Sequence, residues 1–214
     1  IPHLVNTMEQ HGLIVTLLPF ARAQTKTIDA FSTSHLPRPV IALTPDRADD
    51  VYRHRFTAAH ELGHLLLHAD TAPGDALHER QADAFAAEFL TPASVIEPQL
   101  PARMKLHELD DLSQAWGVGI DSLIYRCHEV GVISEATYRR AFQRLNQMRG
   151  AGLFPHDTVE QHPGECPSLL MRAYQVAEDN GLSLTELAAE LKLTIRRVRE
   201  LVGQHDIRPA LRLA

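Results

Sequence analysis

The chain has 214 residues, 44% of them apolar and 22% charged, the composition of a globular protein of one or two domains that buries a core without disulfide staples. Its 21 Lys and Arg against 27 Asp and Glu leave a net charge of -6, which excludes a surface built to be wrapped by a polyanion and allows only a local basic patch. A membrane span and a secretory signal have no counterpart in the apolar pattern, so the expected compartment is the cytoplasm, with no membrane partner. Cys127 and Cys166 are too few for a thiolate metal site and are expected as reduced, structural thiols. Histidine stands out: five of the 13 (His54, His60, His64, His68 and His78) fall between residues 54 and 78. The sequence starts at Ile1 rather than Met, and a preceding segment is expected.

In chain order, residues 12 to 43 read as short strands between breakers. Leu13 to Leu18 is β-branched and stops at Pro19, Ile28 to Ser32 alternates weakly, and Arg38 to Leu43 lies among prolines. The short connections predict a small antiparallel sheet. Val51 to His68 contains no Pro and one Gly, with apolar residues at 56, 59, 62 and 66, a helical spacing. A second helix is predicted from Leu77 to Leu90, stopped by Thr91-Pro92.

Helical periodicity returns at Leu106, Leu109, Leu112 and Ala115, turns at residues 116–119, and resumes at Ile120, Leu123, Ile124 and Cys127, with another helix from Tyr138 to Met148. Residues 150–168 hold three Gly and three Pro and read as a linker. Leu169 to Asn180 and Leu182 to Val202 are again helical. Leu109, Leu112, Val118, Ile120 and Leu123 recur at a constant offset of 75 as Leu184, Leu187, Leu193, Ile195 and Val198, so two helix-turn-helix-like modules are expected. Only the second carries Arg196, Arg197 and Arg199, where a recognition helix would meet DNA. Against DNA binding, Lys192, Arg196, Arg197, Arg199, Arg208 and Arg212 outnumber acids by only six to four in the last 33 residues.

His60-Glu61-Leu62-Gly63-His64 places two imidazoles one turn apart on one helix face, within reach of one tetrahedral ion, normally Zn2+. Glu61 lies about 100° round the helix, placed to take a proton from water at that ion rather than to ligate it. A third protein ligand is needed. Glu79 is chosen, with Asp83, four residues on, as the partner of a ligating histidine's free N–H, and with Asp83 and Glu88 as runners-up for the metal. Glu88 lies about 180° round from Glu79 on a straight helix, so the two cannot share an ion. His68 is expected to end its helix or support a ligand. His54, His78, Tyr52 and Arg55 are the candidates for substrate or oxyanion contact. Glu61 weighs against a purely binding, antitoxin-like or transcription-regulating protein that merely retains zinc, because a structural zinc site needs no base.

Arg55-Phe56-Thr57-Ala58-Ala59-His60-Glu61-Leu62-Gly63-His64-Leu65-Leu66-Leu67-His68, followed by Glu79-Arg80-Gln81-Ala82-Asp83 and Glu88-Phe89-Leu90-Thr91-Pro92, resembles the ImmA/IrrE family of bacterial metallopeptidases. Asp29-Ala30-Phe31-Ser32 and Arg38-Pro39-Val40-Ile41 fit the same family, and the likeness covers about residues 10 to 145. The resemblance implies an α+β fold: a small sheet with a zincin-like active-site helix, zinc on His60, His64 and an acid of the second helix, and Glu61 as base. It also implies a protein substrate, a helix-turn-helix repressor cut in a mobile-element or stress-response switch. The expected domains are a metallopeptidase domain at 1–102, a helical module at 103–149, a linker at 150–168 and a C-terminal module at 169–214.

Overall fold

A computed structural model describes residues 1–18, 30–45, 48–69 and 74–204. Asp29 of the resemblance, and Asp206, Arg208 and Arg212 of the charge count, lie outside the described residues.

Three strands form one sheet in the order β1 (Ile14–Leu17), β3 (Val40–Leu43), β2 (Ala30–Thr33). The β2–β3 pair is antiparallel, as predicted, with Ala30 opposite Leu43 and Thr33 opposite Val40. The β1–β3 pair is instead parallel, Ile14 beside Val40 and Leu17 beside Leu43. The reason is in the connections. Residues 34–39 suffice for a reversal between β2 and β3, whereas 18–29 are long enough to carry the chain from one sheet edge to the other.

The α+β class holds, with ten α-helices among the described residues. α1 (Leu4–Gln10) precedes the sheet, and α2 (Val51–Leu67) and α3 (Ala76–Leu90) follow it. Asp50 caps α2 by accepting from Tyr52 N and Arg53 N, each at 3.0 Å. Asp75 caps α3 through Leu77 N and His78 N at 2.7 and 3.2 Å. Each satisfies N–H groups that the first helical turn leaves without partners. α2 and α3 approach closely because the residues between them are small. A Cβ on Gly63 would stand 3.0 Å from Phe85 Cδ1 and 3.3 Å from Ala82 Cα, and Ala82 and Ala86 are wholly buried.

α4 (Ala93–Ile96), α5 (Leu106–Trp116), α6 (Ile120–Glu129) and α7 (Glu135–Gly150) complete the part of the chain that shares the main core. α8 (Leu169–Asp179), α9 (Leu184–Leu191) and α10 (Ile195–Leu201) enclose a smaller cluster of Tyr174, Ala188, Val198 and Val202. The offset of 75 is repeated in the backbone. Gly117 and Lys192 both take the left-handed conformation, at φ 65° and 54°, and Val118 N→Ser113 O matches Leu193 N→Ala188 O. The side-chain environments differ: Val118 and Ile120 are 3% exposed, and Leu193 and Ile195 40%.

α1 was not legible in the sequence, because its cap lies at the far end of the chain. Glu165, 3% exposed, accepts from Leu4 N at 3.0 Å and Val5 N at 3.3 Å. Glu9, 4% exposed, returns the arrangement by accepting from Ser168 N and Leu169 N at the start of α8. Residues 150–168, read as a linker, therefore include a pinned strap. Val159 N donates to Ala48 O and Val51 N to Asp157 O, each at 2.9 Å, which ties the strap to the entry of α2. Beyond it, α8 and α10 flank β1, where Thr16 Oγ1 donates to Leu201 O at 3.4 Å.

Candidate metal centre and cleft

α2 carries His60 and His64 one turn apart, and α3 brings Glu79 to both. The two Nε2 atoms are 3.0 Å apart, and the Glu79 carboxylate lies 3.3 Å from His60 Nε2 and 3.5 Å from His64 Nε2. One ligand atom from each residue falls within 4.8 Å of the others. Two imidazoles and a carboxylate that converge on one point match the catalytic zinc donor set, so these residues fit a divalent ion.

Asp83 completes the arrangement from one turn further along α3. Its Oδ1 is 2.8 Å from His60 Nδ1, the nitrogen turned away from the cluster. Burial alone would disfavour the His60 cation, but the Asp83 hydrogen bond and charge, with Glu61 and Glu79, outweigh it and raise the His60 pKa. The same bond fixes the ring and leaves Nε2 as the ligand atom.

Glu61 is 7% exposed and lines the same cleft. Burial raises its carboxyl pKa, opposed by a hydrogen bond from the Ser32 hydroxyl and by the two neighbouring histidines. A raised carboxyl suits a group that must accept a proton and later return it. Ser32 is the functional contact that sequence reasoning missed. The period of β2 puts it on a face with Ala30, but nothing in the sequence says that this face meets Glu61. The cleft, about 390 Å³, runs between β2 with its following turn and the facing ends of α2 and α3. Ser34 Oγ closes one side by donating to Ala69 O at 3.2 Å.

Glu88 does not join the cluster. Its carboxylate receives Ala93 N at 3.2 Å and pairs with the buried Arg126 at 3.3 Å, so it caps α4. Three candidates for substrate contact are also corrected. His54 is 2% exposed, with Nε2 3.0 Å from Glu165 O. Arg55 is 5% exposed, paired with the Glu165 carboxylate and donating to Ile1 O and Gly117 O. The Tyr52 phenol, its pKa raised chiefly by burial, shares a hydrogen bond with Ser113 of α5. All three face the strap or α5, because their positions on α2 lie round the helix from His60 and His64. His78 does line the cleft, and His68 caps α2 with its Nε2 2.8 Å from Gln81 Oε1.

In the C-terminal helices, Arg196 Nε and Arg197 Nη1 both pair with Glu200, at 3.1 and 3.0 Å, and Arg199 is exposed. Both cysteines are free, and burial pushes the Cys127 thiol up to about 11, the behaviour of an inert core thiol. Among the described residues, no helix is long and apolar enough to cross a membrane.

No curated protein matches the chain. The profile of the IrrE N-terminal-like domain, peptidase family M78, matches residues 8–128, from α1 through α6 and across the whole cleft. More than half of the sequence thus carries the family pattern, and the chain belongs to the ImmA/IrrE family of peptidases.

Proposed function

We propose that the protein is a cytoplasmic zinc-dependent endopeptidase that cuts one protein partner, a helix-turn-helix DNA-binding repressor, in a bacterial regulatory or stress-response switch. The observation that carries this reading is a buried carboxylate, Glu61, beside three converging ligands in an open cleft. A zinc ion on His60, His64 and Glu79 would supply Lewis acidity for a peptide carbonyl and acidify water. Glu61 would accept a proton from the attacking water and pass it to the leaving amine. Ser32 holds Glu61 in place, and Asp83 holds His60.

The outer edge of β2 borders the cleft, and among the described residues β2 pairs only with β3. An extended substrate can add there as a further strand. A DNA-binding role for Arg196, Arg197 and Arg199 has less support, since two of the three guanidinium groups end on Glu200. A binding-only, antitoxin-like role leaves Glu61 without a use.

The test is cleavage of a candidate helix-turn-helix repressor by the purified protein. Glu61→Gln should retain zinc and leave that repressor intact, while His60→Ala or His64→Ala should lose the metal. Full cleavage by the Glu61→Gln protein would end this mechanism. For the third ligand, zinc content should fall in Glu79→Ala and persist in Glu88→Ala.

A further inference from the structure

We propose that an apolar cavity between β1, the strap and the C-terminal helices is a binding site for a small apolar molecule that carries one positive charge, an arylalkyl amine by chemical class. The cavity measures about 360 Å³, at the lower end of the ~300–1,000 Å³ typical of small-molecule sites. It shares no lining residue with the cleft. Val15 and Leu17 of β1 line it from the family-matched part of the chain, Leu170 and Met171 from α8, and Leu201 and Val202 from the end of α10. Junctions of this kind between separately packed parts are where such sites concentrate.

The polar side chains of the wall are spent on the wall itself. Thr16 Oγ1 donates to Leu201 O and Cys166 Sγ to Val159 O, each at 3.4 Å. Burial, with the Glu160 and Glu165 carboxylates, raises the Cys166 pKa, so the thiol stays protonated. No lining residue among those described leaves a buried side-chain nitrogen or oxygen without a partner. Water finds little to hold there, and an apolar body displaces it at low cost. Charge then selects the class. Glu160 and Gly203 are the exposed residues of the lining and mark its mouth. Among the described lining residues there is no Lys, Arg or His. A carboxylate ligand would meet only like charge, whereas an ammonium group at the outer end of an apolar body meets Glu160. A molecule that touches β1 on one side and α8 and α10 on the other stabilises the docking of these helices on the sheet. None of this requires the cleft to be a peptidase site.

The experiment titrates the full chain, isotope-labelled at its methionine methyl groups, with phenylbutylamine and with phenylbutyrate, two probes of similar apolar bulk and opposite charge. Of the four methionines, Met171 is the one in the lining, and its methyl resonance should shift saturably with the amine while the others stay. Calorimetry should rank the amine above the carboxylate by about threefold to fivefold, the size of one exposed charge pair. Glu160→Gln should bring the two probes to parity. Ala48→Phe, which adds a ring at a lining position, should abolish binding, with Leu170→Trp in its place where melting curves show that the first variant does not fold. Amide exchange in α10 should slow when the amine saturates wild type. No saturable site in the full chain, a shift confined to other methionines, or binding indifferent to the filling variant would overturn the proposal. So would a carboxylate held as tightly as the amine, or exchange in α10 unmoved by it.

Discussion

Replacing Glu165 by Ala should cost about 4 kcal/mol of folding stability, although the residue lies far from the cleft. Its carboxylate does two things at once. It neutralises Arg55, 5% exposed, and it caps α1 at Leu4 N and Val5 N. Breaking a buried ion pair from one side costs roughly 3–5 kcal/mol, because the other charge stays buried without a counter-ion. Loss of a helix cap costs about 1 kcal/mol more. The two terms share one carboxylate and do not simply add. Arg55 retains Ile1 O at 2.6 Å and Gly117 O at 2.8 Å, which offsets part of the first term. The remainder is a large share of the ~5–15 kcal/mol that holds a typical domain together.

Urea unfolding followed by far-ultraviolet circular dichroism measures this, provided that the slope stays that of wild type. A paired variant isolates the charge. Arg55→Met/Glu165→Leu removes both ions and should recover most of the loss, since apolar replacements of buried pairs are often neutral. A loss below about 1 kcal/mol in Glu165→Ala would refute the reasoning, because a solvated carboxylate would behave in that way.

Gly63→Ala places a methyl group against the Phe85 ring and the Ala82 backbone, so α3 must move by tenths of an ångström. Stability should fall by about 1–3 kcal/mol, and calorimetry should show weaker metal uptake because Glu79 moves with α3. Asp83→Asn should weaken metal binding at neutral pH by roughly 10–100-fold. It should also change metal-free stability. In wild type the His60–Asp83 bond stabilises fully below the unfolded histidine value of 6.5 and is lost as pH rises through the higher folded value; thermal melts of Asp83→Asn should lack that decline. Ser32→Ala should lower kcat by about tenfold with KM unchanged, the equivalent of ~1.5 kcal/mol for a hydrogen bond to a charged group. Since the Ser32 bond lowers the Glu61 pKa, the acidic limb of the rate profile should move to higher pH; an unmoved limb would place Ser32 outside the reaction.

Local rules carried much of what the sequence revealed. Helical spacing puts His60 above His64, the two helices begin within a residue of the expected positions, and Thr91-Pro92 ends α3 where expected. The E-x-x-x-D step from Glu79 to Asp83 is likewise a one-helix pattern, and the structure brings both residues to the histidines. What stayed hidden depends on residues far apart in the chain. α1 starts without a local cap because Glu165 supplies one from more than 150 positions away. Arg55 and Tyr52 flank the motif in sequence, yet helix rotation turns them toward the strap and α5. The three Gly and three Pro of residues 150–168 indicate irregular backbone, and composition does not distinguish a tether from a strap pinned by a buried carboxylate.

The strap also bears on how a substrate could reach the sheet. A three-stranded sheet in the order β1-β3-β2 has two edges, and each exposes backbone groups that can pair with another chain. Glu9 and Glu165 fix the strap and the start of α8, and α8 and α10 then lie beside β1. This leaves the outer edge of β2 as the accessible one among the described residues. That edge contains Ser32, whose hydroxyl holds Glu61. A peptide that paired with β2 as proposed would bind the strand whose Ser32 hydroxyl bonds Glu61, so a shift of β2 on pairing would reach that carboxylate. The C-terminal helices contribute to this by packing against β1, a role that needs no contact with DNA.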